Sequence, residues 1–241
     1  MPDDCVLLER DGTTAVVRLN RPDKRNALDT ATLQRLNGIL DDLAADPLLR
    51  VLVMSSTSVT ALCAGADVGE VLDHDGGVRR MAEFTRMYAG LEAFPVPVIA
   101  VCVGNCVGAG AEIVAGADLR VAGANLKLAW AGARLGVPVG PARLSGLIGL
   151  AHAKDLLFTG RRVDADEALR LGLVHRVTAP DDAEAAALAL AETITGQSAE
   201  GIRTLKGMFR DLEQSARRVG YENERLMDFQ RHGAGLPRSV R

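Results

Sequence analysis

The chain has no excess of positive charge: across 241 residues, 28 Lys and Arg stand against 31 Asp and Glu, a formal net charge of −3. The basic residues are scattered, with only a mild cluster toward the C-terminus, which excludes a strongly basic nucleic-acid surface as the leading reading. Cysteine is scarce. Cys5, Cys63, Cys102 and Cys106 have no zinc or redox spacing, and no secretory signal opens the chain, so reduced thiols, no metal site and a cytoplasmic location are expected. The longest uncharged stretch, Phe94 to Ala111, is broken by Pro95, Pro97, Asn105 and repeated glycines, so it reads as a buried strand and turn and not as a membrane span. The four histidines, His74, His152, His175 and His232, sit in no recognisable motif and read as surface or helix-end residues. From Leu119 to Lys154 there is no Asp or Glu, an absence that matters below.

Hydrophobic residues make up 48% and charged residues 24% of the chain, enough apolar material for one large core with a small appendage. The stretch around which the rest is organised runs from Pro97 to Asp118. The β-branched run Val98 to Val103 reads as a strand, Gly104, Gly108 and Gly110 as a turn that lets backbone approach a ligand, and the residues after it as a helix. Glu112 is the only charge between Glu92 and Asp118. A carboxylate in so apolar a neighbourhood must be paired, solvated or used, which makes it a candidate catalytic group; a helix-start Glu meeting free amides is the plainer alternative.

Along the chain, Cys5 to Arg10 and Thr14 to Asn20 read as strands joined at Asp11-Gly12. A polar, basic loop, Arg21 to Leu28, leads to an N-cap at Asp29 or Thr30 and an amphipathic helix through Leu33, Leu36, Leu40 and Leu43. Val51 to Ser55 is a buried strand and Ser56 to Leu62 a loop. Val68 opens a helical pattern, and Asp73 to Gly77 is a variable-looking stretch before a helix through Met81, Phe84, Met87 and Leu91. Beyond the central strand and helix, Leu119 to Ala122, Leu126 to Trp130 and Leu173 to Val177 read as strands. Helices are expected over Ala142 to Gly149, Ala153 to Thr159, Ala165 to Leu171, Ala183 to Thr195, Ala199 to Leu212 and on to about Phe229. Strands and helices alternate at first, and the C-terminal third is helical.

Several of these stretches, in order and at similar spacing, resemble the crotonase family, the enoyl-CoA hydratase/isomerase superfamily. They are Arg21-Pro22 through Asn26-Ala27-Leu28, Ala64-Gly65-Ala66-Asp67, Gly108 to Glu112, Asp118 to Ala122, and Leu157 to Arg161 with Ala168 to Val174. The resemblance implies an α/β fold, a spiral of strand-strand-helix units with a C-terminal helical extension. On that basis residues 1–190 form the core with an acyl-CoA site and residues 191–241 a helical oligomerisation segment. It implies a homotrimer or a hexamer built as a dimer of trimers, and an acyl-CoA substrate, with no cofactor beyond the coenzyme A of the thioester, no nucleic acid and no membrane. By position, the amides of Ala66 and Ala109 would form an oxyanion hole for the thioester carbonyl, where two preplaced donors stabilise the charge that develops. Family members usually have glycine where Ala109 stands; an alanine amide donates equally well if the backbone does not need positive φ. Substrate contacts are implied for Lys24, Arg25, Ala27, Ala64, Asp67, Val68, Gly108 and Gly132, with Lys24 and Arg25 near CoA phosphates or ribose; solvated loop cations are the alternative. Asp67 is assigned more to bracing its loop than to chemistry.

Hydratases of the family use two glutamates. One matches Glu112; counting onward without gaps puts Gly132 at the second, and no shifted register can supply a carboxylate from the acid-free stretch. Hydration needs both a base for water and an acid for carbon, and losing either commonly costs about 10²–10⁴-fold. The expectation is therefore an enoyl-CoA hydratase-like lyase of weak or specialised activity, then a one-carboxylate isomerase or decarboxylase, then a non-catalytic acyl-CoA binder. Trp130 and Arg134 flank Gly132 and read as a core Trp and a solvated Arg. The end of the chain, HGAGLPRSVR, lacks the family's closing helix and predicts a frayed tail over a more open site. Two rivals fall away. The turn Gly104 to Gly110 also fits a dehydrogenase's G-x-x-x-G-x-G, but it lies mid-chain, and Tyr88 and Tyr221 are followed four residues on by Glu92 and Arg225, not Lys. A serine-hydrolase version of the spiral lacks a usable histidine.

Overall fold

The structure, a computed structural model, describes residues 5–236. Its opening hairpin, β1 (Val6–Asp11) and β2 (Thr14–Leu19), turns at Gly12, whose φ of 57° suits a two-residue loop. Helix α1 (Thr30–Ala44) follows, with Asp29 as N-cap accepting the Thr32 amide. Three more units repeat the strand-strand-helix pattern: β3 (Val51–Ser56), β4 (Ala61–Cys63) and α2 (His74–Glu92); β5 (Val98–Cys102), β6 (Asn105–Val107) and α3 (Ala109–Gly116); β7 (Leu119–Gly123), β8 (Lys127–Ala129) and the one-turn α4 (Gly132–Leu135). The first strand of each joins a six-stranded sheet of order β1-β2-β3-β5-β7-β9, closed at one edge by the late strand β9 (Arg176–Thr178), and the second joins a three-stranded sheet of order β4-β6-β8. The chain thus winds as the crotonase-type spiral, its parallel strands stacked unit on unit, and a helical extension completes the fold.

Strand alternation sorts the large sheet into two buried faces. Ala15, Val17, Leu19, Leu52, Met54, Ala100 and Cys102 face the main core with α1, α2 and α3, while Val16, Val51, Val53, Ile99, Val101 and Val121 form a second core under Ala183, Ala187 and Ala191 of α7 (Ala183–Thr195). The remaining elements are α5 (Pro141–Thr159), α6 (Ala165–Arg170), α8 (Ala199–Glu213) and α9 (Ser215–His232). Helix α9 lies against α2 and α5, which brings the end of the chain back to the centre. The buried Lys206 ties α8 to the sheet, donating to the Val96 carbonyl at 2.7 Å and to Asp118 at 2.8 Å; Asp118 also accepts the Val98 amide at 2.6 Å.

Several expectations need correction. Residues 68–73 are not helical; the helix starts at His74 behind an Asp73 cap and includes Gly76 and Gly77. Ser56 to Leu62 is not all loop, and the glycine turn is not all turn, because β4 and β6 lie there and build the small sheet. The late strand begins at Arg176. The two helices expected between Ala142 and Thr159 are found within α5, separated at Gly149, where φ is 73° and ψ 164°.

Candidate active site

Two loops meet beneath α2 and α9. In the first, Leu28 and Ala66 form a parallel bridge in which Leu28 N donates to the Gly65 carbonyl at 2.8 Å and Asp67 N to the Leu28 carbonyl at 2.9 Å. Both bonds use the neighbours of Ala66, so its own N–H is left over. In the second, Gly108 holds φ 55° and ψ −113°, a conformation for glycine alone, and Ala109 opens α3, where a helix leaves its amides without partners. Neither the Ala66 nor the Ala109 N–H finds a hydrogen-bond partner among the described residues. The loops touch: a Cβ placed on Gly65 would lie 4.0 Å from the Ala109 nitrogen. Ala109 itself is not among the residues with positive φ, so the alanine fits without strain.

Both loops line a cavity of about 210 Å³. Ala64 to Ala66, Val68 and Val107 to Ala109 form one wall; Ala131, Gly132, Leu135, Val137 and Val139 another; Met81, Phe84 and Tyr88 of α2, with Leu226 and Leu236, close it. Of the predicted site residues, Ala64, Ala66, Val68, Gly108, Ala109 and Gly132 are therefore brought together. Lys24, Arg25, Ala27, Asp67 and Glu112 are not in the lining. Lys24 and Arg25 are exposed at the end of a 3-10 turn, Pro22–Lys24, where the Arg25 carbonyl accepts the Ala64 amide at 3.0 Å. The Ala27 carbonyl accepts a hydrogen bond from Arg21. Asp67 braces its loop, accepting from Arg21 and from the Gly69 amide, each at 3.0 Å.

Glu112 sits one helical turn beyond Ala109 and is 0% exposed. Its Oε1 accepts the Trp130 indole N–H at 2.7 Å and its Oε2 the Arg143 guanidinium at 2.8 Å. The same Arg143 nitrogen reaches Glu222 of α9 at 3.3 Å, its other arm donates to the Tyr88 carbonyl at 2.9 Å, and its guanidinium carbon lies 5.0 Å from the centre of the Tyr88 ring. Glu222 also accepts the Gly140 and Ala142 amides at the start of α5 at 3.1 and 2.8 Å. Burial, and then the charge of Glu112, push the Glu222 carboxyl up to about 7 against the pull of those amides and of Arg143. Burial and the same two carboxylates hold the Tyr88 phenol well above its ordinary range.

Sequence reasoning missed Arg143, Glu222 and Tyr88. A signal existed for Glu222, a charge three residues after Val219 and four before Leu226 on the buried stripe of α9. Trp130 is buried in the core as expected, with its N–H used by Glu112; Arg134 is exposed and donates to the Gly160 carbonyl at 2.9 Å. No helix follows α9 among the described residues. After α9 the chain doubles back, the Leu236 amide donating to Gln230 at 3.1 Å, and Leu236 joins the lining; the rest of the expected frayed tail, 237–241, lies outside the described residues.

A profile described as enoyl-CoA hydratase/isomerase matches residues 9–232. The chain is 32% identical to the short-chain-enoyl-CoA hydratase of Clostridium acetobutylicum over 206 residues, covering 83% of this chain and 79% of that protein. It is 32% identical to the crotonyl-CoA hydratase of Syntrophomonas wolfei over 184 residues, 73% of this chain and 70% of the relative. The crystal structure of an enoyl-CoA hydratase/isomerase from Mycobacterium paratuberculosis superposes with a TM-score of 0.85 at 26% identity, over 95% of this chain and 94% of that one.

Proposed function

Since the chain belongs to the enoyl-CoA hydratase/isomerase family, we propose that its cavity takes the acyl end of a coenzyme A thioester and polarises the carbonyl through the amides of Ala66 and Ala109. The observation that carries this reading is the pair of unpartnered N–H groups lining one apolar cavity. Proton removal or addition next to a thioester puts negative charge on the carbonyl oxygen, and donors already aimed at it in a dry site lower that barrier. The reaction is of the hydratase or isomerase type and needs no group beyond the coenzyme A of the substrate. At about 210 Å³ the cavity is smaller than the roughly 300–1,000 Å³ of whole-ligand pockets, so the nucleotide end of CoA lies outside it. The exposed Lys24 and Arg25 suit its phosphates, and Ala27 and Asp67 flank the Leu28–Ala66 bridge that joins this basic loop to the cavity.

Glu112 is the proposed proton carrier, as the carboxylate one turn from Ala109. Each of its oxygens already accepts one hydrogen bond, from Trp130 or Arg143, and Gly132 supplies no second acid, so hydration is proposed to be weak. A second reading, a non-catalytic acyl-CoA binder, is favoured by the engagement of both Glu112 oxygens. Crotonyl-CoA turnover and calorimetric binding, for the native chain and for Glu112→Gln, separate the two. Turnover lost by at least about 10²-fold in the variant, with binding and melting temperature retained, supports catalysis by Glu112. Tight binding with no turnover in either protein assigns the binder, and turnover indifferent to the substitution removes Glu112 from the mechanism.

The assembly is proposed to be a homotrimer or a dimer of trimers. Helix α8 exposes Leu205, Met208, Phe209 and Leu212, an apolar stripe at helical spacing that suits burial against another subunit. Sedimentation equilibrium would give the mass, and a monomer at micromolar concentration would refute it.

A further inference from the structure

Every side chain lining the cavity is apolar except one. Around Tyr88 stand only Gly, Ala, Val, Leu, Met and Phe. Tyr88 is 5% exposed, and its hydroxyl makes no hydrogen bond among the described residues without being one of the sealed, unsatisfied polar atoms, so it is open to the cavity that Tyr88 lines. A hydroxyl that faces the cavity and is committed to no protein group can pair with an acceptor on whatever enters. The ring is also firmly placed. Phe84 stacks on it with centroids 6.1 Å apart, and Arg143 covers it at 5.0 Å while bonded to Glu112, Glu222 and the Tyr88 carbonyl.

We infer that Tyr88 is a specificity-determining residue that touches substrate, its phenol donating a hydrogen bond to a second oxygen on the acyl chain beyond the thioester carbonyl. The inference rests on the reading of the cavity as an acyl-CoA site and adds to it the class of acyl group: short and oxygenated. Short, because about 210 Å³ equals the space of roughly seven waters. Oxygenated, because the walls otherwise offer nothing polar but the two amides already assigned to the carbonyl. Tyr88 is suited to donating, since burial and the nearby carboxylates keep the phenol protonated through the physiological range. A site that carries a buried polar group discriminates against the ligand that cannot pair it.

The test compares butyryl-CoA with acetoacetyl-CoA, which differ by one chain oxygen and offer no double bond to hydrate, binding to the native protein and to Tyr88→Phe by calorimetry. The native protein is expected to prefer acetoacetyl-CoA by about 3- to 10-fold, the worth of one neutral hydrogen bond. In Tyr88→Phe the preference should vanish while butyryl-CoA affinity stays within about twofold. Equal binding of the two thioesters by the native protein, a preference that survives the substitution, or an equal loss for both overturns the inference and leaves the site reading standing. If neither thioester binds the native protein, the site reading fails and takes the inference with it. Should Tyr88→Phe fold poorly, Tyr221→Phe leaves Tyr88 as the single tyrosine with its hydroxyl intact. In that background a ζ-carbon-labelled tyrosine resonance must move with acetoacetyl-CoA and stay with butyryl-CoA; the same response to both, or to neither, refutes the assignment.

Discussion

Arg143 meets Glu112 at 2.8 Å, between side chains that are 4% and 0% exposed, and the same nitrogen also serves Glu222 at 3.3 Å. One cation therefore stands between two buried carboxylates contributed by α3 and α9. Three long-range segments of chain are held together at this point, immediately behind the cavity.

Replacing Arg143 by Met should be severe, because it leaves carboxylates buried without their counter-charge. Breaking a buried pair from one side costs about 3–5 kcal/mol, and here two acids lose the same partner. Urea unfolding of the native chain and of Arg143→Met should show a loss in that range. A loss below about 1 kcal/mol would mean that the two acids find other partners or take up protons at little cost.

Glu222 gives the cluster a pH dependence of definite sign. Its carboxyl stands at about 7 in the folded protein, raised by burial and by Glu112, and near 4.5 as a free side chain. Between those values the folded state holds a proton that the unfolded chain has lost, so the stability contributed by this group is complete below about 4.5 and declines as pH rises through about 7. Comparing melting temperature against pH for the native chain and Glu222→Gln isolates the group. The difference between the curves should shift toward the variant across pH 4.5 to 7, and a constant difference over that window would contradict the assignment.

The fold was readable where elements are long. Helices α1, α7 and α8 match their expected spans to within a residue or two, α1 behind its Asp29 cap. Strands β4 and β6 have three residues each, too few to show alternation, and Gly76 and Gly77 hid the first turn of α2. In the site the same division holds. The glycines that shape the two loops are local signals, and the family resemblance that pointed to Ala66, Ala109 and Gly132 rests on such short stretches. Arg143 reaches Tyr88 across 55 positions and Glu222 across 79, and no local pattern reports that such distant residues share a buried cluster.

Gly132→Glu should not restore an efficient hydratase. The Gly132 carbonyl accepts the Val137 amide at 2.9 Å in a tight turn, and a Cβ at this position would lie 2.6 Å from the Val137 carbonyl oxygen and 3.0 Å from a Val139 methyl. The loop must move for any side chain to fit, at a cost of about 1–3 kcal/mol. The expected result is a lower unfolding midpoint with crotonyl-CoA hydration no higher than in the native chain. A gain of tenfold or more would show that the loop yields and that only the missing acid had limited the reaction.

Gly110→Ala probes the other side of the site. Its α-carbon packs so closely on the neighbouring loop that a methyl would sit 2.1 Å from the Cys63 carbonyl oxygen, an impossible contact with backbone on one side and a core helix on the other. Relief requires α3 to slide away from β4, and the Ala109 amide, one residue upstream, moves with it relative to Ala66. Stability should fall by about 1–3 kcal/mol or more, and acyl-CoA affinity should fall as well in protein that remains folded, because the two donors no longer converge on one oxygen. Calorimetry with butyryl-CoA on the folded fraction checks this. Undiminished affinity alongside reduced stability would mean that the close packing of Gly110 serves the core alone and that the carbonyl is not held between these two amides.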